Sequence, residues 1–431
     1  MAAIHNHHYR VAYFEETTVG TPPNGATWNA SGVPIETTMV DVSGLKQEFI
    51  TDPTLEEHPL DMGTRAVIHG IKNGQIKVGL KLHGTGAATE AASQVAANAL
   101  SNLLKHAWGG VHRSSTTAVA AATDAKTFTV DSATNIIPGC VIGVQDTSSP
   151  SAEYSGVVVP RRVLSVTDTE IVLEEDLPFT PAADDVVHAA ITVYLDHSAL
   201  EDAVASNDTL SWLIALGHES GTDHLYQVVG SVISELKIDL PEGGVPGLEA
   251  TIECGTFMHG TEDGLSNPDF ATATYGHAQL AIGRNTKLSI GEYGADTLAY
   301  VDATAYSLET GVGRQRVKSI TERTHNLEAT ATYGLRVDNT TLALTFPTYE
   351  EAWYSKLNAS TVYRLTLAQH AAPGKGWGLF IPKAQIEGTP GRQVVVDNWG
   401  AQVSFRAARA SNATGGSNNE LERSRILLAL F

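Results

Sequence analysis

The order of structural signals in this 431-residue chain repeats. Gly70-Ile71-Lys72 leads into the alternating run Ile76 to Leu82, and Gly334-Leu335-Arg336 leads into Leu342 to Phe346, each followed by a helical stretch. Beyond the helix the order recurs: Ser231 to Ile238, the turn Pro241 to Gly247, then Leu248 to Phe257. Its counterpart is Leu379 to Ile386, the turn Gly388-Thr389-Pro390-Gly391, then Val394 to Phe405. A shared sequence of strand, helix, strand, Pro/Gly turn and strand predicts a tandemly duplicated unit. Such a unit suits a part that tiles a symmetric assembly better than one that turns over a substrate.

Local signals fill in each copy. Tyr9 to Phe14 reads as a strand, ended by the Gly and prolines of Val19 to Pro23. Arg65 to Leu82 reads as a hairpin turning at Asn73-Gly74, because both residues tolerate positive φ. Ala87 to Trp108 carries Ala92, Ala96, Leu100, Leu103 and Ala107 on one helical face, with Gly109-Gly110 as a stop. The second-copy helix opens on a capping box, Thr348 to Glu351, and buries Trp353, Tyr354 and Leu357.

Residues 111–195 interrupt the first copy with short strands at Thr127 to Val130, Val141 to Gln145, Val157 to Val166, Ile171 to Leu173 and Val186 to Tyr194. They predict a small β-barrel or sandwich inserted as an independent module on an outer surface. The expected organisation is therefore a discontinuous first domain at 1–110 plus 196–260, the insert at 111–195, a polar Gly-rich linker at 261–276, and a second domain at 277–431 with a C-terminal arm. The apolar ending Ile426 to Phe431 cannot hang free in water. It returns as a last strand of its own copy or adds to a neighbouring subunit's sheet.

Residue chemistry argues against catalysis. No phosphate-cradling glycine loop, nucleophile elbow or helical HExxH occurs. Two cysteines, Cys140 and Cys254, are too few for a disulfide framework or a thiolate zinc site. His218-Glu219 with Asp223-His224 reads as a hairpin turn rather than a ligand set, and His5, His7 and His8 as a polar terminus. The carboxylate pairs Glu174-Glu175 and Asp184-Asp185 read as solvated turn residues. The sequence calls for no enzyme activity, cofactor or metal. Met1 to Arg10 lacks the apolar core of a secretory signal, so the chain is expected in a cytoplasm until it assembles.

Charge is the remaining signal. A formal net charge of −20 disfavours tight binding to phosphate backbones, which suits a surface past which DNA must slide and also keeps a concentrated protein soluble. Asp41 to Asp61 holds six acids, Asp41, Glu48, Asp52, Glu56, Glu57 and Asp61, and the single base Lys46. Glu309 to Arg323 holds four bases, Arg314, Arg316, Lys318 and Arg323, and two acids. As loops preceding equivalent hairpins, these segments would meet with opposite sign if chains stack, fixing register more than adding affinity. The plainer alternative is two solvated charge runs.

The opening Tyr9 to Pro23, the segment Arg65 to Leu82 with its helix, and the Glu235 to Ile238 strand resemble tail tube (major tail) proteins of long-tailed bacteriophages. The insert, with Lys126 to Val130, Pro138-Gly139 and Arg162 to Val166, is similar to inserts in that family. The resemblance covers residues 9–260, and 275–410 as a weaker repeat. It implies a mainly β fold, a β-sandwich or barrel with a flanking helix, whose protomers join sheets into rings that stack as a tube for viral DNA. Two tandem copies would fill a six-position ring with three chains, carrying about −60 at −20 each. The implied partners are further copies of the chain, the tape measure, terminator and baseplate proteins, and DNA that passes without specific binding. The implied location is the virion tail. Two other readings stay open: a different virion part of similar fold at the head-to-tail joint or baseplate, and a β-rich glycan-binding or glycan-cleaving protein.

Overall fold

The computed structural model describes residues 4–18, 20–21, 32–51, 67–85, 99–148, 153–206, 208–218, 224–240, 246–259, 286–317, 332–348, 350, 352–395, 398–410 and 419–431. Strands β1 (Ile4–Glu15), β2 (Val33–Ile35), β3 (Thr37–Asp41), β4 (Lys46–Thr51) and β5 (Val67–Lys81) precede helix α1 (Ala99–Trp108) and β6 (Gly109–Arg113). Six strands follow: β7 (Thr117–Ala122), β8 (Thr127–Val130), β9 (Val141–Gln145), β10 (Val158–Thr167), β11 (Glu170–Leu173) and β12 (Val186–His188). Next come β13 (Ile191–Leu195), α2 (His197–Ala205), β14 (Leu210–His218), β15 (His224–Leu240), β16 (Gly247–Cys254) and β17 (Thr256–His259). The rest comprises β18 (Thr286–Glu292), β19 (Ala299–Tyr300), β20 (Ala305–Val317), β21 (Thr332–Phe346), α3 (Ala352–Asn358), β22 (Val362–Gln369), β23 (Trp377–Val395), β24 (Asn398–Ala407), α4 (Asn419–Arg423) and β25 (Leu427–Leu430). The protein is mainly β, and its strand pairs are antiparallel.

The two halves pair their strands in the same order. In the first, β2 pairs with β1, β1 with β14, β14 with β15, β15 with β16, β16 with β5, and β5 with β3 and β4. In the second, β19 pairs with β18, β18 with β22, β22 with β23, β23 with β24, β24 with β21, and β21 with β20. The halves meet edge to edge where β15 pairs with β20, from Lys237 opposite Glu309 to Leu240 opposite Tyr306. Alternation writes the two faces: in β16, Leu248, Ala250, Ile252 and Cys254 are buried while Glu249, Thr251 and Glu253 turn outward. One core runs through both halves and includes Trp108, Trp212, Trp377, Leu308 and Phe405. Helix α1 lays Leu100, Leu103, Leu104 and Ala107 onto it and stops at Gly109, whose φ of +88° no β-carbon would tolerate 2.6 Å from the Asp196 carbonyl.

Several sequence expectations change here. Asn73-Gly74 does not turn a hairpin, because β5 runs straight through it; β4 pairs with its first part and β3 with its second. Gly74 is needed for close approach instead, since a β-carbon there would lie 2.2 Å from the Gly44 carbonyl oxygen. Likewise Gly388 to Gly391 forms a bulge inside β23 rather than a turn, with Gly388 at φ +73°. Residues 241–245, 348–351 in part, and 86–98 of the expected turn, capping box and long helix lie wholly or partly outside the described residues; helix is described from Ala99 and from Ala352.

The insert is a closed barrel, β10-β11-β8-β7-β12-β9. The expected strand Val186 to Tyr194 is two: β12 closes the barrel, whereas β13 pairs with β6 and joins the main sheet. Nor is the barrel independent, since its core of Phe128, Val141, Val163 and Leu173 is completed by Phe380, Leu421, Leu427 and Ala429. The C-terminal strand supplies two of these. Of the two fates open to it, β25 returns within its own chain, inserted between β13 and β23 with Ile426 to Phe431 buried throughout.

Candidate assembly edges

The polar face of the shared sheet is set by register. Directly opposed residues share a face, so Lys237, Glu249 and Glu309 stand in one row, Asp239 and Ser307 in another, and Arg406 between Thr341 and Gln385. Acids outnumber bases on it: Asp239, Glu249, Glu253, Glu309 and Glu387 against Lys77, Lys237 and Arg406. Ion pairs of 3.1 Å join Lys77 to Glu249 and Lys237 to Asp239, and one of 3.9 Å joins Arg406 to Glu387. These exposed pairs contribute little to stability, about 0–1 kcal/mol each, and chiefly set the sign of the face.

Of the strand sides of this sheet that have no strand partner among the described residues, two correspond in pairing order to sides that are paired in the other half. One is the side of β3 away from β5; the other is the stretch of β23 beyond Gln385 on its β22 side. Near them lie exposed apolar side chains of the sheet: Met39 on β3 at 41% exposure, and Val394 and Trp399, opposed across β23 and β24, at 63% and 66%. Sequence reading missed all three. The signal for the latter two was apolar residues directly beside a hairpin tip, where an isolated protein gains nothing by exposing them.

The junction between the halves is built on a buried cation. Arg314 of β20 is 1% exposed and donates to the carbonyl oxygens of Asp208 and, at 3.3 Å, His106. His106, near the end of α1, places Nδ1 3.2 Å from Asp208 Oδ2 and Nε2 3.1 Å from Glu15 Oε1. Burial alone would lower the His106 pKa, but the two carboxylates outweigh it and hold it above the ordinary value. His106 in turn holds Glu15 low. Burial works to raise the Asp208 pKa, and His106 with Arg314 overcomes it. Beside this cluster opens a cavity of about 230 Å³ lined by Lys105, Gly109, Leu200, Asp202 and Ser206 among others.

A second buried cluster docks the barrel. Arg162 donates to Glu174 at 3.0 Å, Arg161 lies 3.5 Å from Glu175, and Arg364 of β22 donates to the Glu174 carbonyl at 2.8 Å. Asp185 is fully buried and accepts from the backbone amides of Thr147, Ser148 and Ala182. The pairs Glu174-Glu175 and Asp184-Asp185 are therefore not solvated as a whole: Glu175 and Asp185 organise buried structure.

The sequence-predicted contact residues fare unevenly. Arg314 and Arg316 belong to strand β20 rather than a loop, and Arg314 is core, so it cannot meet a stacked neighbour. Glu48 lies in strand β4. Asp52, Glu56, Glu57, Asp61, Lys318 and Arg323 lie outside the described residues. Among the described residues no group of three His, Cys, Asp or Glu side chains converges to hold a metal. Cys140 is fully buried, and burial pushes its thiol up to about 12, which leaves it unreactive. No protein-family model matches the chain, and no curated protein matches it.

Proposed function

We propose that this chain is a structural subunit that polymerises into the tail tube of a long-tailed bacteriophage, three chains to a ring. The observation that carries the reading is the strand-pairing order shared by the two halves, joined edge to edge through β15 and β20. Two like units held side by side in one chain amount to one third of a six-position ring. On this reading the halves are tandem tube-type domains, and the chain performs no reaction. Its work is assembly: strand edges that would be a hazard in a solitary protein are covered by neighbouring subunits. The polar face, with its excess of acids, lines the bore and lets DNA phosphates pass without adhering. Ring-to-ring contacts, the tape measure, and the terminator and baseplate proteins are the partners such a subunit requires.

Negative-stain electron microscopy of the purified protein at rising concentration tests this. Rings or tubes with an axial hole and threefold outer features are expected. A compact monomer at every concentration would refute the proposal.

A further inference from the structure

Residues 419–431 touch the barrel and both halves at once. Strand β25 pairs with β13 from Tyr194 opposite Leu427 to Ile191 opposite Leu430, and with β23 from Phe380 opposite Leu427 to Trp377 opposite Leu430. Alternation divides its side chains between two cores: Ile426, Leu428 and Leu430 enter the core shared by the halves, while Leu427 and Ala429, with Leu421 of α4, enter the barrel core. Polar contacts fix the approach. Ser424 Oγ accepts from the Leu195 amide at 3.1 Å and donates to the Ile426 carbonyl at 2.7 Å, and Arg162 donates to the Glu422 carbonyl. Space is kept clear for the segment: a β-carbon at Gly376 would stand 2.1 Å from the Phe431 ring, and one at Gly139 would stand 2.8 Å from the Glu422 α-carbon.

The other parts complete their own pairing without this strand. The barrel closes as β10-β11-β8-β7-β12-β9, and the pairing order of each half omits β25. Strands β6 and β13, which lead into and out of the barrel, pair with each other, and among the described residues β13 reaches β23 only through β25. We propose that the slot between β13 and β23, with the barrel core on one face and the shared core on the other, is a peptide-acceptor site. It binds an extended apolar strand in a step separate from the folding of the halves, and it takes residues 419–431 equally when they arrive on another polypeptide. The ligand class is a short strand with a small hydroxyl residue ahead of a fully apolar run, held by main-chain hydrogen bonds on both sides and by side-chain pockets on both faces. Filling the slot is the step that links the stem of the barrel to the second half by continuous strand pairing. The proposal goes beyond the tube-subunit reading and does not rest on it.

The full chain carrying Leu428→Asp and Leu430→Asp tests this, because both side chains are fully buried and an unpaired carboxylate cannot take their place. The probe is a fluorescent synthetic peptide of residues 419–431. Hydrogen exchange in the variant should quicken at least about tenfold in β13, in β25 and in the Trp377 to Phe380 stretch of β23, and stay unchanged in β1, β14 and β16. The peptide should bind the variant one to one and restore the protection of β13. It should not bind the parent, whose slot is filled, and a peptide with the same two substitutions should not bind the variant. Protection lost in β1, β14 and β16 as well would make the segment integral to the fold and overturn the proposal. So would unchanged protection in β25, an opened slot that leaves the peptide unbound, or equal binding of the peptide to parent and variant.

Discussion

Replacing Arg314 by Met is the sharpest test of how the halves are held together. The side chain is 1% exposed and gives hydrogen bonds to the carbonyls of Asp208 and His106, which lie on the other half. Met retains most of the stem volume, so packing is largely kept and the loss is electrostatic. Removing one partner of a buried charged network typically costs about 3–5 kcal/mol. Asp208 is 38% exposed and recovers some hydration, which brings the expected loss to about 2–4 kcal/mol. Arg314→Lys keeps the charge but cannot span two carbonyls, so about half of that loss is expected. Trp108 and Trp212 are fully buried and lie within four residues of His106 and Asp208, which makes tryptophan fluorescence in urea a suitable readout. A chain with two apolar cores need not unfold in one step, so the relevant quantity is the midpoint of the tryptophan transition. A Met variant as stable as the parent would refute the reasoning, because the guanidinium's desolvation would then cancel everything its bonds contribute.

Other perturbations separate the remaining contacts. The raised folded-state pKa of His106 makes its contribution complete below the ordinary value of 6.5 and lost as pH rises through the folded value; the lowered Glu15 and Asp208 lose theirs as pH falls through their folded values. The urea midpoint should therefore decline on both sides of weakly acidic pH, and His106→Gln should flatten the alkaline arm. Leu428→Ala in β25 should destabilise the fold by about 2–5 kcal/mol, whereas Leu164→Ala, at an exposed barrel position, should change it by under about 0.5 kcal/mol; thermal unfolding compares the two. Glu174→Gln strips counter-charge from Arg162 and Arg364 and should weaken barrel docking by about 2–4 kcal/mol, read as faster hydrogen exchange in β10 and β22 with β1, β14 and β16 unchanged.

Much of the architecture is legible in the sequence because it is local. Alternation marks β16, the Ala/Leu periodicity and Gly109 mark the end of α1, and the apolar ending marks β25. Turn signals were read less well. Asn73-Gly74 and Gly388 to Gly391 have the backbone tolerance a turn needs, but a bulge or a close approach needs the same tolerance, and only the partner strand decides between them. Buried charge was the least legible. Arg314 sits in a run that looks like a solvated basic segment, and the carbonyls that satisfy it come from residues 106 and 208. Glu175 looks like one of a pair of surface acids until Arg161 is brought beside it by the barrel. No local pattern announces a partner supplied by the fold.

The register of the two halves gives the charge contrast between them a strand-level form. Arg314 stands opposite Leu335 on β21, and Leu335 is the counterpart of Ile71 on β5. On β4, Gln47 stands opposite Lys72 and Phe49 opposite His69, so the position answering to Arg314 is Glu48. A base on β20 in one half thus answers to an acid on β4 in the other. The receiving sides differ in the same sense: α1 ends beside the carboxylates of Glu15 and Asp208, while α3 carries Lys356 in its last turn. The two halves therefore share a pairing order while differing in charge at corresponding strand positions.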